Sequence, residues 1–351
     1  MKTELLKLGA GQDAAIYRRA GELLREGSLV VIPTETVYGL AASIEREEAL
    51  RSIYEVKGRP SDNPLIVHIA EPEMAVRVAR EVPKAAEKLF ERFWPGPLTV
   101  VLPKRPEVSR IVSGGLDTVA LRCPSSAAAR AIIRAAGVPL AAPSANRSGR
   151  PSPTRAEHLR EELAGRVPLI VDGGPCAVGV ESTVVSLCGA RPRLLRPGAV
   201  TLAQLRELLG PVDVDEAVTG ELAAGSTVSA PGMKYRHYAP ACPMTLYQGA
   251  RAASVMKSEL DRLIEEGKRV GVICFDGEET LFPGAEVRSI GPREDHLVQA
   301  QRIFAVLREL DCGLDRILSV TPDPDGVGLA VYNRMLKAAG HDLRRTEEGE
   351  A

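Results

Sequence analysis

Ser28-Leu29-Val30-Val31-Ile32-Pro33-Thr34-Glu35-Thr36-Val37-Tyr38-Gly39-Leu40 joins a short apolar run to a polar motif, with Pro33 between them. An unbroken run rich in β-branched residues predicts a strand buried on both faces, and proline, which has no N–H to give the ladder, ends it. Ahead of the run, apolar residues over 11–27 recur at helical spacing and stop on a glycine, which predicts a helix feeding the strand. The motif at 33–40 therefore starts where a strand ends, the place where residues of an α/β sheet converge on one crevice.

Working outward, apolar runs at 65–69, 98–102, 118–121, 139–142, 169–171 and 183–187 predict further strands. Helical spacing alternates with them near 47–56, 74–90, 126–136 and 154–163. This mixture predicts an α/β or α+β sheet domain over residues 1–210. Residues 211–241 have weak periodicity and end in Ser229-Ala230-Pro231-Gly232-Met233-Lys234-Tyr235-Arg236-His237-Tyr238-Ala239-Pro240. Two tyrosines, a histidine and two cations suit stacking on a base or gripping phosphate, so this linker reads either as a lid over the first domain's site or as a plain tether. From 242 to 345 strand and helix alternate: strands 244–247, 270–275, 286–290 and 316–320, helices 252–266, 295–310 and 327–338. That alternation predicts a small parallel-sheet domain of Rossmann-like type, with a charged, frayed tail from 344 to 351.

The chain has 351 residues, is 44% hydrophobic and 26% charged, and carries a formal net charge of −1, so it has no overall attraction to nucleic acid or membrane. No run of about 18 apolar residues occurs, and the first residues lack a signal-peptide pattern, so a cytoplasmic protein without a membrane partner is expected. Cys123, Cys176, Cys188, Cys242, Cys274 and Cys312 lie far apart with no C-x-x-C pair, which predicts buried, reduced thiols and no metal site.

There is no P-loop run. Lys57 and Arg59, beside Gly58, offer a point charge and a planar fork for polyphosphate, with surface salt bridging as the plain alternative. Ser144 and Asn146 follow an apolar run, where short polar side chains and outward N–H groups can bind phosphate oxygens or simply close a turn. Arg122, ending a strand, has the fork suited to a substrate carboxylate or to a structural acid. Gly326-Val327-Gly328 lacks the full G-x-G-x-x-G pattern and reads as a tight turn.

Taken in order, PTETVYGL (33–40), KGRP (57–60), DNPLIVHI (62–69), WPGPLT (94–99), PSANRSGRPSPT (143–154), ESTVV (181–185), LRPG (195–198) and SAPGMKYRHYAP (229–240) closely resemble the threonylcarbamoyl-AMP synthase family in its long, two-domain form. The resemblance spans essentially the whole chain. It implies an open twisted α/β sheet domain of YrdC type, with a positive concave face, followed by the Rossmann-like domain. The implied reaction takes L-threonine, bicarbonate and ATP, with Mg2+, to threonylcarbamoyl-AMP and pyrophosphate. A downstream tRNA threonylcarbamoyl-transfer complex would then modify tRNAs that read codons beginning with A, and direct tRNA contact is left open.

Residue by residue, the resemblance gives Lys57, Arg59, Ser144 and Asn146 the catalytic phosphate-handling roles. Thr36, His68, Arg122 and Ser182 would line a threonine pocket. Arg59, Asn63, Thr118, Ser144, Ser152 and Arg196 would contact ATP, Ala142 adding only a backbone or methyl contact, with Tyr235, or Tyr238 in its place, closing over the nucleotide. Glu35 and Glu181, the nearest acids by motif, read as structural, with assistance to Mg2+ through water as the alternative. Two rivals remain: a carbamoyl transferase of hydrogenase maturation, which the missing C-x-x-C pairs oppose, and an RNA-binding module without catalysis, which would bind with a steep salt dependence.

Overall fold

Val30–Ile32 is a strand with every side chain fully buried, and the reason is visible in where those side chains go. Val31 packs into one core cluster with Leu40, Leu50 and Leu121, while Val30 and Ile32 point the other way, into a cluster with Leu24, Ile133 and Val171. Successive strand residues face opposite sides, so a strand covered on both sides must be apolar throughout.

The computed structural model describes residues 1–9, 11–218, 220, 237–311 and 313–346, which divide into two units. The first holds Met1–Ser148 and residues 152–220, the second Gly149–Pro151 and residues 237–346. The first unit is built on an 11-stranded mixed sheet. Its order is Glu4–Lys7, Leu169–Asp172, Val30–Ile32, Gly39–Ser43, Leu140–Ala141, Ile66–His68, Thr118–Arg122, Leu98–Pro103, Thr183–Ser186, Arg193–Arg196 and Asp213–Val214. Helices Asp13–Arg25 and Ala127–Ala136 pack together on one face; Ser126 caps the second, its hydroxyl accepting from Ala129 N. Helix Glu47–Lys57 ends on Gly58 at φ +60°, a left-handed cap that glycine takes without a Cβ clash and that turns the chain toward Arg59.

The second unit carries a 5-stranded all-parallel sheet ordered Glu286–Ser289, Val270–Cys274, Arg316–Val320, Met244–Gln248, Leu343–Arg345. Helices Ala252–Glu265, His296–Glu309 and Gly328–Ala338 connect its strands, as the alternation predicts.

Three expectations are corrected. Residues 74–90 are not one helix: a 3-10 turn covers Pro72–Arg77, and the α-helix Lys84–Phe93 starts after Pro83, whose ring cannot sit inside a helix. The charged tail is ordered at its start, because Leu343–Arg345 pairs with Met244–Gln248 and the Arg344 guanidinium lies 5.6 Å from the Tyr247 ring centre. Cys188 is exposed while Cys123, Cys176, Cys242 and Cys274 are buried, and Cys312 lies outside the described residues.

Candidate active site

The motif at 33–40 folds as a turn held by its own hydroxyls. Thr34 Oγ1 accepts from the N–H groups of Thr36 and Val37 at 3.3 Å and lies 3.0 Å from Thr36 Oγ1. Past the turn, the Tyr38 hydroxyl donates to Gly174 O at 2.7 Å, and the backbone pairs with the second signature: Ala145 N donates to Tyr38 O at 2.8 Å and Gly39 bridges Ser144. Two motifs far apart in sequence are thus held side by side by backbone bonds.

Three adjacent strands set a polar row beside it. In register, Thr99 lies opposite Arg122 and Arg122 opposite His68, so their side chains share one face. All are buried: Thr99 is 0%, Arg122 4% and His68 2% exposed. Ser182, fully buried, joins the row with its hydroxyl 2.7 Å from Thr99 Oγ1. Arg196 fixes Ser182, its Nε donating to the backbone O at 3.1 Å and Nη2 to the hydroxyl at 3.2 Å.

Charge in this row is set by one ion pair. Arg122 Nη2 lies 2.8 Å from Glu35 Oε1, off the hydrogen-bonding direction, so the contact is a close ion pair; Glu35 Oε2 accepts from Ser126 N at 3.3 Å. Burial alone would raise the Glu35 pKa, but the Arg122 charge and the surrounding N–H donors hold it below the usual carboxylate value. Arg122 Nε is buried and has no hydrogen-bond acceptor among the described residues. For His68, burial first and the Arg122 charge second push the pKa down to about 3, so the ring is neutral; Nδ1 sits 3.3 Å from Ile66 O.

The K-x-R motif splits in two. Arg59 is half-buried and grips Asn63, with Nη2 donating to Oδ1 at 2.6 Å and Nε to the backbone O at 3.2 Å. Lys57 is buried, and its ammonium donates to the backbone oxygens of Ser144 and Asn146. Burial first, then Arg59, lowers the Lys57 pKa to about 7, against the opposing pull of Glu162 and Glu181. Ser152 is buried with its hydroxyl donating to Glu181 Oε1 at 2.5 Å. Ala142 is buried, its N–H spent on Ile66 O at 3.0 Å.

Thr36, His68, Arg122 and Ser182 are each buried, and Ser182 and His68 are tied to the same row through Thr99 and Arg122. Lys57, Ser144 and Asn146 meet directly. Thr118 opens the strand whose other end is Arg122 and is half-buried there, away from that row. Tyr235 lies outside the described residues. Tyr238 is engaged inside the second unit, 5% exposed, at φ +63°, its ring 5.1 Å from Phe304 and 5.7 Å from the Arg334 guanidinium. Nothing in the sequence singles out Glu162, which reads as one more acid on a helix, yet its side chain is 8% exposed and accepts from Arg147 N at 2.5 Å. Thr99 sits inside a quoted motif and only its strand register gives it a role.

Residues 22–198 match the family model described as Telomere recombination, and residues 200–340 the model described as Threonylcarbamoyl-AMP synthase, C-terminal domain. The chain is 46% identical over 334 residues to the threonylcarbamoyl-AMP synthase of Pyrococcus abyssi, covering 93% of this chain and 94% of the relative. It is 44% identical over 328 residues to the Bacillus subtilis protein of the same name, covering 92% of each. A crystal structure of Pyrococcus abyssi Sua5 complexed with L-threonine matches with a TM-score of 0.93 at 42% identity, over 98% of this chain and 100% of that one.

Proposed function

The chain belongs to the threonylcarbamoyl-AMP synthase family, and from that premise we infer how its residues divide the work of turning L-threonine, bicarbonate and ATP into threonylcarbamoyl-AMP and pyrophosphate. The observation that carries the division is Arg122, a buried guanidinium that, among the described residues, has one carboxylate partner and an Nε with no acceptor. A buried charged donor without an acceptor is costly, and a substrate carboxylate supplies one. Neutral His68 and the Ser182 hydroxyl stand on either side as uncharged hydrogen-bonding groups. Arg196 already donates to Ser182 Oγ; where Thr99 donates too, the Ser182 proton is left for the substrate.

Bicarbonate and the threonine amine give a carbamate with loss of water. One carbamate oxygen then attacks the α-phosphorus, and the bond to the β-phosphate oxygen breaks to release pyrophosphate. The carbamate is already anionic, so the step asks for placement and charge neutralisation rather than a strong base. That demand supports the assignment of ATP to Arg59, Asn63, Thr118, Ala142, Ser144, Ser152 and Arg196, with Asn146 as a further phosphate-handling residue and Tyr235 as the closing aromatic.

Magnesium belongs to the proposal as an ion carried by ATP. Among the described residues no group of three His, Cys, Asp or Glu side chains is placed to hold a metal, and the neutral donors Ser144 and Asn146 suit the ion's phosphate and water shell. When bound it would neutralise charge on the departing pyrophosphate. The downstream partner is a tRNA threonylcarbamoyl-transfer complex, and the compartment the cytoplasm; among the described residues no helix is long and apolar enough to cross a membrane.

Pyrophosphate release from the purified chain with Mg-ATP tests the reading, omitting L-threonine and bicarbonate in turn. Release that needs both is expected, with threonylcarbamoyl-AMP seen by mass spectrometry. Release indifferent to threonine refutes it.

A further inference from the structure

The Asn146–Arg147 peptide group is gripped at both ends by buried charges of opposite sign. Its carbonyl oxygen accepts from the Lys57 ammonium, and its N–H donates to Glu162 Oε2 at 2.5 Å. Lys57 is 2% and Glu162 8% exposed, so both contacts are made out of bulk water. Lys57 also takes Ser144 O, and its own carbonyl accepts from Ser148 N at 2.8 Å. The Lys57 ammonium is thereby committed to the loop's backbone.

We propose that Lys57 and Glu162 are positioning residues that lock this peptide plane, so that Lys57 serves the reaction through the Ser144–Asn146 loop and not by touching phosphate, with Glu162 as its unrecognised partner. The proposal rests on the reading of that loop as the phosphate-binding segment. A peptide C=O held by a cation and its N–H held by an anion has its dipole fixed along the field, and each charge-assisted bond is stronger than a neutral one. Fixing the plane fixes ψ of Asn146 and φ of Arg147, and hence where the Asn146 side chain stands. Misplacement of a binding group by about 1 Å is enough to cost a large factor in rate. Glu162 sits buried on the short helix Glu157–Leu163 with its carboxylate turned to that peptide.

The test uses the full chain and two readouts: steady-state pyrophosphate release, and hydrogen exchange of the peptide spanning 143–148. Glu162→Ala removes the acceptor and should lower kcat about tenfold or more, from the loss of a hydrogen bond to a charged group, with KM for threonine within about twofold. Glu162→Gln keeps an oxygen acceptor and should recover most of the loss. The double variant Lys57→Met/Glu162→Ala should be no worse than Lys57→Met alone, because both act on one peptide. Exchange at 143–148 should quicken in Glu162→Ala and less so in Glu162→Gln.

Wild-type kcat in Glu162→Ala, losses that multiply in the double variant, or a parallel loss of threonine affinity would each overturn the proposal. If Glu162→Ala does not fold, Lys57→Met decides, because it frees the carbonyl end of the same peptide: exchange at 143–148 as slow as in the wild type sinks the proposal. A wild-type chain without threonine-dependent pyrophosphate release would refute the proposed function instead, and the exchange rates would still test the locked peptide.

Discussion

Glu35→Gln should destabilise the first unit by about 3 kcal/mol at pH 7, and bound L-threonine should restore part of that loss. The pair it breaks is 2.8 Å apart with side chains 4% and 8% exposed, so solvent screening gives little discount. Removing one member of a buried pair costs about 3–5 kcal/mol because the other charge is left uncompensated. The lower end applies here, since the glutamine oxygen can still accept from Ser126 N as Glu35 Oε2 does. For a domain of this size about 3 kcal/mol corresponds to a drop of roughly 6–12 °C in Tm. L-threonine brings Arg122 a new counter-charge, so its stabilising shift in Tm should be larger in the variant than in the wild type. The pH dependence follows from the sign of the Glu35 shift. Its folded pKa is lowered, so its contribution is fully present above the unfolded value of about 4.5 and is lost as pH falls through the folded value. The gap between wild type and Glu35→Gln is therefore full at pH 7 and closes in acid. Thermal unfolding across pH, with and without saturating L-threonine, measures all of this. A Tm change below about 2 °C at pH 7, or a gap that widens on acidification, refutes the role given to the pair.

Other outcomes follow from neighbouring geometry. Because His68 is held neutral down to about pH 3, threonine affinity should show no histidine titration between about pH 5 and 8; an inflection there that disappears in His68→Asn would contradict the assignment. His68→Ala should weaken threonine binding more than ATP binding, as calorimetry with each ligand can check. Gly198→Ala places a Cβ 2.3 Å from Thr183 N and 2.8 Å from Ser182 C, backbone atoms that cannot swing aside. It should cost about 1–3 kcal/mol of stability and weaken threonine binding through Ser182, so wild-type affinity in that variant would be a failure. Burial first pushes the Cys123, Cys176 and Cys274 thiols up to about 12, so mild alkylation near neutral pH should label exposed Cys188 before them.

Strands read from apolar runs were legible because a strand covered on both faces is almost wholly apolar, as at Val30–Ile32 and, Thr99 apart, at Leu98–Pro103. Gly39–Ser43 escaped that reading, since its glycine, alanines and serine carry no β signal of their own. Its place comes from partners on either side, Leu40 opposite Val31 and Ala42 opposite Ala141. Glu4–Lys7 fails for another reason: as an edge strand with largely exposed residues it shows no apolar run at all, and only its pairing with Leu169–Asp172 makes it a strand. Residues 74–90 look like one helix by spacing, but spacing does not register the loss of Val78 to a turn and of Ala79 to a bridge with Lys104 before Pro83.

The site was legible as a set of residue types and illegible as a division of labour, and Lys57 shows why. In the sequence Lys57 and Arg59 are a matched pair of cations, and pairing them on phosphate is the natural reading. What separates them is Gly58: a left-handed cap ends the helix after Lys57, so Lys57 stays on the helix's buried side while Arg59 leaves toward Asn63. A buried ammonium must find oxygen, and the oxygens within reach are the carbonyls of Ser144 and Asn146. Those carbonyls exist at every residue and leave no mark in a sequence, and neither does the N–H that occupies Glu162. In this chain the backbone of the S-x-N stretch seats the lysine side chain of the K-x-R. That reading carries a measurable consequence in the coupling of Lys57 to Glu162, two residues that no spacing rule connects.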